Sequence, residues 1–181
     1  MHPLKKFHHC PVCGSPHFKE KDFKAKHCTN CGFTYYFNSS AATVALITND
    51  RNELLVCRRG KEPAKGTLDL PGGFIDMEET GEEGVIREVM EETGLEVVSA
   101  DYLFSLPNTY LYSGFLVHTL DLFFRCTVAD DTNLLAADDV AESFWIPLEE
   151  ITPAAFGLDS VRKGVERFIN ERNPKQIKKH P

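Results

Sequence analysis

Short apolar stretches, separated by clusters of polar and turn-forming residues, predict β-strands through most of the chain beyond residue 40. The first two strands are joined by the turn Asn49-Asp-Arg-Asn, and a loop at residues 59–70 follows them. A second loop is expected at residues 106–114, before the longest strand. The predicted strands cover residues 43–48, 53–58, 95–105, 117–128 and 144–147.

Two segments carry apolar residues at the spacing of a helix. Thr80 followed by Glu83 forms a capping box, and Gly94 suits the position after a helix end, so one helix is predicted between them. Its buried face is expected to consist of Val85, Ile86, Val89 and Met90. A second helix is predicted over residues 158–171, with Leu158, Val161, Val165, Phe168 and Ile169 on one face.

The first helix carries three glutamates on the side opposite its apolar face. Glu88, Glu91 and Glu92 are spaced i, i+3 and i+4, so they share one arc. Like charges four residues apart destabilise an isolated helix by roughly a few tenths of a kcal/mol, and a hard cation such as Mg²⁺ or Mn²⁺ removes that repulsion. The alternative interpretation is an acidic helix face exposed to solvent.

A longer pattern surrounds these glutamates. It is G-x5-E-x7-R-E-U-x-E-E-x-G-U, where U is aliphatic, and it is filled by Gly73, Glu79, Arg87, Glu88, Val89, Glu91, Glu92, Gly94 and Leu95. On this pattern, and on the preceding loop Gly66-Thr-Leu-Asp-Leu-Pro-Gly-Gly, the chain resembles the Nudix hydrolase family. The resemblance covers about residues 40–170 and implies an α/β fold, an α/β/α sandwich with a mixed sheet.

The resemblance also implies roles for the residues of the pattern. Glu88, Glu91 and Glu92 match metal ligands, and the backbone carbonyl of Gly72 or Gly73 often completes the set. Glu79 and Arg87 match residues that pair and hold the loop and the helix together around the catalytic glutamates. The general base differs between members of the family, being either a glutamate of the pattern or an acid on a later loop.

Such a later acid is available before the last strand. Asp138, Asp139 and Glu142 precede Trp145, where many Nudix enzymes place another metal-binding or proton-accepting acid. By position relative to Trp145, Asp139 matches best and Glu142 is next. The alternative is that these acids belong to a loop that faces solvent.

Members of the family hydrolyse a nucleoside diphosphate linked to another group, and the resemblance implies the same activity here. Metals polarise a phosphoryl oxygen and activate a water, without a covalent enzyme intermediate. Arginines at a strand end suit a pyrophosphate, and aromatic rings suit a base. The candidate substrate contacts are Arg58, Arg59, Tyr36, Tyr110 and Tyr112, each with packing or surface charge as its alternative.

Four cysteines near the N-terminus form a second strong signal. Cys10-Pro-Val-Cys13-Gly and Cys28-Thr-Asn-Cys31-Gly are two Cys-x-x-Cys-Gly turns, the arrangement of a tetrahedral four-thiolate zinc site. Such a closed site is structural and folds a ribbon too small for its own core. Disulfides are the alternative, but the polar N-terminus lacks a signal peptide and predicts a cytoplasmic chain. Cys57 and Cys126 are expected to be plain buried cysteines.

The zinc ribbon ahead of a Nudix domain resembles the NADH pyrophosphatase group. The segment after the glutamates departs from that group, because Ser105-Leu-Pro-Asn-Thr-Tyr-Leu-Tyr-Ser stands where the group has Ser-Gln-Pro-Trp-Pro-Phe-Pro. This departure argues against a specificity for NADH in particular, and the expected substrate class is the broader one of ADP-ribose, FAD, NADH or a related dinucleotide. A catalytically silent Nudix sensor, or a regulator that binds nucleic acid through the ribbon, is the alternative function.

Length and charge agree with a small ribbon and one ordinary domain. The 181 residues carry a net charge of −7, whereas residues 1–37 contain six lysines and two acidic residues. The basic ribbon could bind nucleic acid, but lysines at the surface also keep a small module soluble, and the second interpretation is favoured. The expected domains are a ribbon at 1–37, a Nudix domain at 40–172 and a disordered basic tail at 173–181. No window is apolar enough to span a membrane, and a homodimer is left open.

Overall fold

The computed structural model describes residues 2–135 and 140–172. The chain divides into two compact units, of which the first ends at Ser39 and the second begins at Ser40. The tail predicted at residues 173–181 lies outside the described residues. Within the described part of the chain, no helix is long and apolar enough to cross a membrane.

The first unit is a small antiparallel sheet of three strands. These are β1 (Phe18–Glu20), β2 (Ala25–Cys28) and β3 (Thr34–Tyr36), in that spatial order. Two tight turns bring the cysteine pairs to one end of it, because the Gly14 and Gly32 N–H groups donate to the Cys10 and Cys28 carbonyls, each at 2.9 Å. Cys10, Phe18 and Cys28 form a small buried cluster against which Phe33 packs, and Leu4 and Ala25 are the other fully buried apolar residues described in this unit.

The second unit contains two three-stranded sheets and two helices. Parallel pairing of β4 with β8 and antiparallel pairing of β8 with β7 form one sheet, while β5 pairs antiparallel with both β6 and β9 in the other. The strands are β4 (Ser40–Ile47), β5 (Glu53–Arg59), β6 (Leu68–Asp69), β7 (Val97–Tyr112), β8 (Phe115–Val128) and β9 (Val140–Pro147). The helices are α1 (Gly81–Thr93) and α2 (Asp159–Arg172).

The core of the second unit lies on two sides of the β4–β8 pair. Phe123 and Phe124 are neighbours on β8 and point to opposite faces, as successive residues of a strand do. Phe123 belongs to a cluster with Val161, Val165 and Phe168 of α2, while Phe124 belongs to a cluster with Val85 and Val89 of α1. A helix therefore covers each face, which confirms the predicted α/β/α sandwich and the apolar face predicted for α2.

The segment predicted as a loop at residues 106–114 is instead part of a long hairpin. Strand β7 continues through Pro107 to Tyr112 and turns at Ser113 and Gly114 into β8. The proline is tolerated because β7 lies at the edge of its sheet, where one side of the strand needs no backbone donor. The prediction of a loop was wrong because Pro107 and Asn108, which are common in turns, lie within the strand here.

The buried face predicted for α1 is also partly wrong. Val85 and Val89 are fully buried, but Ile86 and Met90 are 39% and 44% exposed. Glu92, one helical turn beyond Val89, is only 7% exposed. The buried arc is thus rotated toward one of the glutamates, and this rotation brings a carboxylate to the inside of the fold.

Candidate active site

Helix α1 begins and ends where local sequence predicts. The Thr80 hydroxyl accepts a hydrogen bond from the Glu83 N–H, and the Glu83 carboxylate accepts one from the Thr80 N–H, so the capping box is complete. At the other end Gly94 has a φ of 71° and its N–H donates to the Met90 carbonyl. Both caps fix which residues of the helix face the preceding loop.

Arg87 ties α1 to that loop. Its Nε and Nη2 atoms donate to the two oxygens of Glu79, each at 2.9 Å, and Nη2 also donates to the Phe74 carbonyl at 3.0 Å. The Glu79 carboxylate also accepts from the Asp76 N–H. The hydrogen bonds from Arg87 hold the pKa of Glu79 below its usual range, and those from Glu79 and Glu88 raise the pKa of Arg87. Arg87 and Glu79 therefore act as a bidentate clamp between loop and helix.

The same guanidinium also holds two of the three helical glutamates. Its Nη1 atom donates to Glu88 at 2.8 Å and to Glu91 at 3.2 Å, which lowers the repulsion expected between them. The side chain of Glu88 is 14% exposed, whereas that of Glu91 is 51% exposed. A Cβ atom on Gly73 would lie 2.5 Å from the Glu88 carboxylate, so only glycine allows this loop to pass so close.

Glu92 reaches the loop from inside the fold. Its carboxylate accepts a hydrogen bond from the Gly72 N–H at 3.0 Å. Gly72 has a φ of 149°, and a Cβ there would lie 2.1 Å from the Thr43 carbonyl oxygen. The glycine pair thus lets the backbone run between strand β4 and the glutamates of α1.

Strand β4 fixes this loop from the other side. The Thr43 N–H donates to the Gly73 carbonyl and the Ala45 N–H donates to the Pro71 carbonyl, both at 2.8 Å. Carboxylates and backbone carbonyls are the donors that Mg²⁺ and Mn²⁺ prefer, so the three glutamates and the glycine loop fit such an ion chemically. Because the Gly73 carbonyl already accepts from Thr43, the Gly72 carbonyl is the better candidate ligand of the two.

A cleft of about 400 Å³ opens beside this loop, a size typical of small-molecule sites. Gly72, Gly73 and Glu92 line it, and so do Arg59, Tyr110 and Tyr112. Four of the predicted site residues other than the glycines therefore lie on one cavity. Tyr36 belongs to the first unit, where its hydroxyl accepts a hydrogen bond from Lys21.

The two predicted arginines take different positions, because consecutive residues of a strand face opposite ways. Arg59 lines the cleft, where it donates to the Asp69 carboxylate and, through Nε, to the Pro63 carbonyl at 2.7 Å. Arg58 instead pairs with Glu142 at 3.0 Å and donates to the Gly66 carbonyl. Neither Arg58 nor Glu142 is among the residues that line the cleft, and Asp139 lies outside the described residues.

Several polar residues of the cleft carried no sequence signal. Asp69, Asn108, Thr119 and Asp121 are all at most 9% exposed and all line the cavity. Burial raises the pKa of Asp69, against the opposing effect of Arg59. Asp69 lies within the Pro-Gly-Gly lead-in loop, where no role was predicted for it. Asn108 lies in the segment wrongly predicted as a loop, and Thr119 and Asp121 lie on the strand predicted over residues 117–128.

In the first unit the four predicted cysteines converge. All four Sγ atoms lie within 4.8 Å of one another, and Cys10–Cys31 and Cys13–Cys28 are each separated by 3.7 Å. A disulfide bond is about 2.05 Å long, whereas tetrahedral thiolates at about 2.3 Å from zinc stand about 3.8 Å apart. A hydrogen bond from the Ser15 backbone lowers the pKa of the Cys13 thiol to about 6. The cluster fits zinc. The six cysteines all lie in the described part of the chain, and none of them forms a disulfide.

Comparison with known proteins agrees with this architecture. Residues 38–168 match the model of the NUDIX domain. The chain is 32% identical over 140 residues to the ADP-ribose pyrophosphatase of Methanocaldococcus jannaschii, covering 76% of this chain and 79% of the relative. It is 30% identical over 145 residues to the NAD-capped RNA hydrolase NudC of Deinococcus radiodurans, covering 78% of this chain but only 49% of that one.

Solved structures give the same result for the fold. A NUDIX hydrolase from Nitrosomonas europaea superposes with a TM-score of 0.72 at 22% identity, covering 92% of both chains. The chain belongs to the Nudix family, and its enzyme class is that of the Nudix pyrophosphohydrolases. The chain spans about half the length of the NAD-capped RNA hydrolase that it matches.

Proposed function

We propose that the chain hydrolyses the pyrophosphate of an ADP-sugar or dinucleotide, with ADP-ribose as the first candidate, in a reaction that depends on Mg²⁺ or Mn²⁺. The observation that carries the proposal is the cleft of about 400 Å³ that joins Glu92 and the glycine loop to Arg59, Tyr110 and Tyr112. The similarity to an ADP-ribose pyrophosphatase over 79% of that enzyme's length supports the choice of substrate.

In this proposal Glu88, Glu91 and Glu92, with the Gly72 carbonyl, would hold the metal, which would supply charge stabilisation at a phosphoryl oxygen. Arg87 and Glu79 keep the helix and the loop in register, so that the carboxylates are in place before substrate binds. Water adds to one phosphorus, the bridging P–O bond breaks, and its oxygen leaves with the other phosphate. ADP-ribose would thus yield AMP and ribose 5-phosphate.

The proposed substrate contacts follow from the lining of the cleft. Arg59 is fixed by Asp69 and by the Pro63 carbonyl, which leaves its fork oriented for a phosphate at little entropic cost. Tyr110 and Tyr112 offer ring faces for the base. Arg58, Glu142 and Tyr36 stay weaker candidates, because Arg58 and Glu142 neutralise each other at the surface and Tyr36 is engaged with Lys21.

We further propose one structural zinc ion in the first unit, held by Cys10, Cys13, Cys28 and Cys31. With four thiolate ligands the site has no open position for a water, so its contribution is to the folding of the ribbon. The small size of the apolar cluster in this unit supports that role, because a segment of this length buries too little apolar surface to offset the entropy of ordering it without a further constraint.

A hydrolysis screen tests the catalytic proposal. The purified chain would be incubated with ADP-ribose, NADH, FAD, a diadenosine polyphosphate and a nucleoside triphosphate, with and without Mg²⁺ or Mn²⁺. We expect turnover of ADP-ribose or a dinucleotide only when the metal is present, and loss of that turnover in the Glu92→Gln variant. Metal-independent turnover, or full activity of Glu92→Gln, would refute the assignment. Ligand binding without any hydrolysis would favour the sensor function instead.

A further inference from the structure

One face of the β7–β8 hairpin forms a polar wall of the cleft. Alternate residues of each strand line the cavity: Asn108, Tyr110 and Tyr112 from β7, and Val117, Thr119 and Asp121 from β8. Asn108 stands directly opposite Thr119 in the strand register, and Asp121 is the next residue on the same face as Thr119. The hairpin therefore presents an amide, a hydroxyl and a carboxylate side by side.

Asp121 is a buried carboxylate without a cationic partner among the described residues. It is 4% exposed, and its two oxygens accept hydrogen bonds from the hydroxyls of Thr119 and Ser160. A buried carboxylate is costly unless it is fully hydrogen-bonded, and each of its oxygens can accept a second bond. The acceptor sites that remain are best satisfied by donors from a molecule in the cleft.

Asn108 provides a complementary donor. It is 5% exposed, and its Oδ1 atom accepts a hydrogen bond from the Thr109 N–H at 3.0 Å. Within the described part of the chain, no side-chain nitrogen or oxygen that is shielded from solvent lacks a partner. The side-chain hydrogen bond of Asn108 uses only Oδ1, and because the residue lines the cavity we expect its amide nitrogen to face the cleft. A carboxylate acceptor and an amide donor thus face the same cavity.

We propose that Asp121 and Asn108 bind the vicinal hydroxyl groups of a ribose in the substrate, a role that rests on the proposed function. Two neighbouring hydroxyls can donate to the oxygens of one carboxylate, while a hydroxyl oxygen accepts from the Asn108 amide. Neither residue lies on the glutamate helix or the glycine loop, so they select the sugar and take no part in the chemical step. Substrates that lack the vicinal diol leave the buried carboxylate unsatisfied and are discriminated against.

A purely structural role for Asp121 is the competing explanation. Ser160 lies in the first turn of α2, is fully buried and does not line the cleft, so its bond to Asp121 joins the helix to β8. Ser160→Ala removes only this connection and is the matched control. A structural tether predicts equal losses for all substrates, whereas a sugar site predicts a changed preference among them.

The test compares three ligands on the wild type, Asp121→Asn and Ser160→Ala. They are ADP-ribose, its analogue with 2-deoxyribose at the terminal position, and its analogue built on 2′-deoxyadenosine. For the wild type we expect one analogue to lose about 10-fold or more in kcat/KM, and the affected analogue tells which ribose occupies the site. Asp121→Asn should reduce that preference to about 3-fold or less, mainly through a higher KM for ADP-ribose.

Calorimetric binding without metal gives a readout that is independent of turnover. Discrimination in binding without any hydrolysis would refute the proposed function and keep the sugar site. Three outcomes would overturn the sugar site. Asp121→Asn could lose the same factor on all three ligands, the wild type could fail to discriminate among them, or the wild type could bind none of them. If Asp121→Asn fails to fold, Asn108→Ala should show the same loss of preference. Ser160→Ala should lower the melting temperature and keep the preference.

Discussion

The two units of the chain are held together by different means. The first unit buries three residues in its cluster, with Phe33 beside them, and brings four thiol groups within 4.8 Å. The second unit has apolar clusters on both faces of the β4–β8 pair, each covered by a helix. From this difference we expect that replacing a cysteine of the proposed zinc site unfolds the ribbon. Replacing a metal-site glutamate of α1 should instead abolish hydrolysis and leave the second unit folded.

The largest expected effect tests the second half of that contrast. Glu88→Gln keeps the size of the side chain but removes a charge that the proposed metal needs, so kcat/KM should fall by about 100-fold or more. The melting temperature should change little, because the apolar cluster around Val85 and Val89 is untouched. Steady-state hydrolysis of ADP-ribose and thermal unfolding would be measured on the same preparations.

Glu82→Gln is the matched control for this prediction. Glu82 is an exposed glutamate in the first turn of the same helix, away from the arc that carries Glu88, Glu91 and Glu92. It should retain wild-type activity. If the Glu88→Gln enzyme is as active as Glu82→Gln, the Glu88 carboxylate is not needed for hydrolysis, and the proposed metal site on this helix is wrong.

The next effect tests the ribbon. Cys28→Ser removes one of four ligands and is expected to release the zinc ion, so that the amides of β1, β2 and β3 lose their protection from hydrogen exchange. The amides of β4 and β8 should stay protected, because their strands are covered by the two helices. Elemental analysis and hydrogen exchange by mass spectrometry measure the two outcomes.

Cys126→Ser serves as the control for loss of a thiol. Cys126 is 3% exposed in the apolar cluster of the second unit, so its replacement should destabilise that unit and leave one zinc per chain. Wild-type protein without zinc, or a Cys28→Ser ribbon that keeps its protection, would show that the metal does not hold the ribbon together.

Local signals explain which parts could be predicted from the sequence. The caps of α1 depend on Thr80, Glu83 and Gly94 alone, and the cysteine turns depend on spacings of three residues, so both were predictable. The polar wall of the cleft could not be predicted in this way. It requires the register that sets Asn108 opposite Thr119 and a contact from α2 to Asp121, and neither follows from the neighbouring residues. The edge position that permits Pro107 in β7 is likewise a property of the whole sheet.

A smaller effect is expected at the aromatic rim of the cleft. Tyr112 lines the cavity but is 55% exposed. If it stacks on the base, its removal should therefore lower kcat/KM by an amount near the low end of what base stacking contributes. Tyr112→Ala should lower kcat/KM for ADP-ribose by about 5-fold or more and change the order of preference among nucleotides. Competition assays with ADP-ribose, NADH and FAD would measure both.

Tyr36→Ala is the comparison in the other unit. Tyr36 is 45% exposed and bonded to Lys21, and a role in packing would change stability without changing preference. A wild-type preference for a nucleoside triphosphate over ADP-ribose, NADH and FAD would show that the aromatic residues do not select a dinucleotide.

The smallest expected effect concerns the clamp between the loop and α1. Arg87 holds the pKa of Glu79 below its usual value, so Glu79 releases its proton more readily in the folded chain than in the unfolded one. The resulting stabilisation is complete above the unfolded pKa, about 4.3, and is lost as the pH falls through the folded value. Glu79→Gln should therefore melt below the wild type at pH 7, and this difference should shrink as the pH is lowered below about 4.

Thermal unfolding of both proteins between pH 7 and pH 3 measures the difference directly. Glu83 also has a lowered pKa, from its bonds to Thr80, but it is present in both proteins and cancels in the comparison. Glu82→Gln again serves as control and should follow the wild type throughout. A difference between Glu79→Gln and wild type that stays constant with pH would mean that the shape and hydrogen bonds of the side chain hold the loop, and that its charge does not.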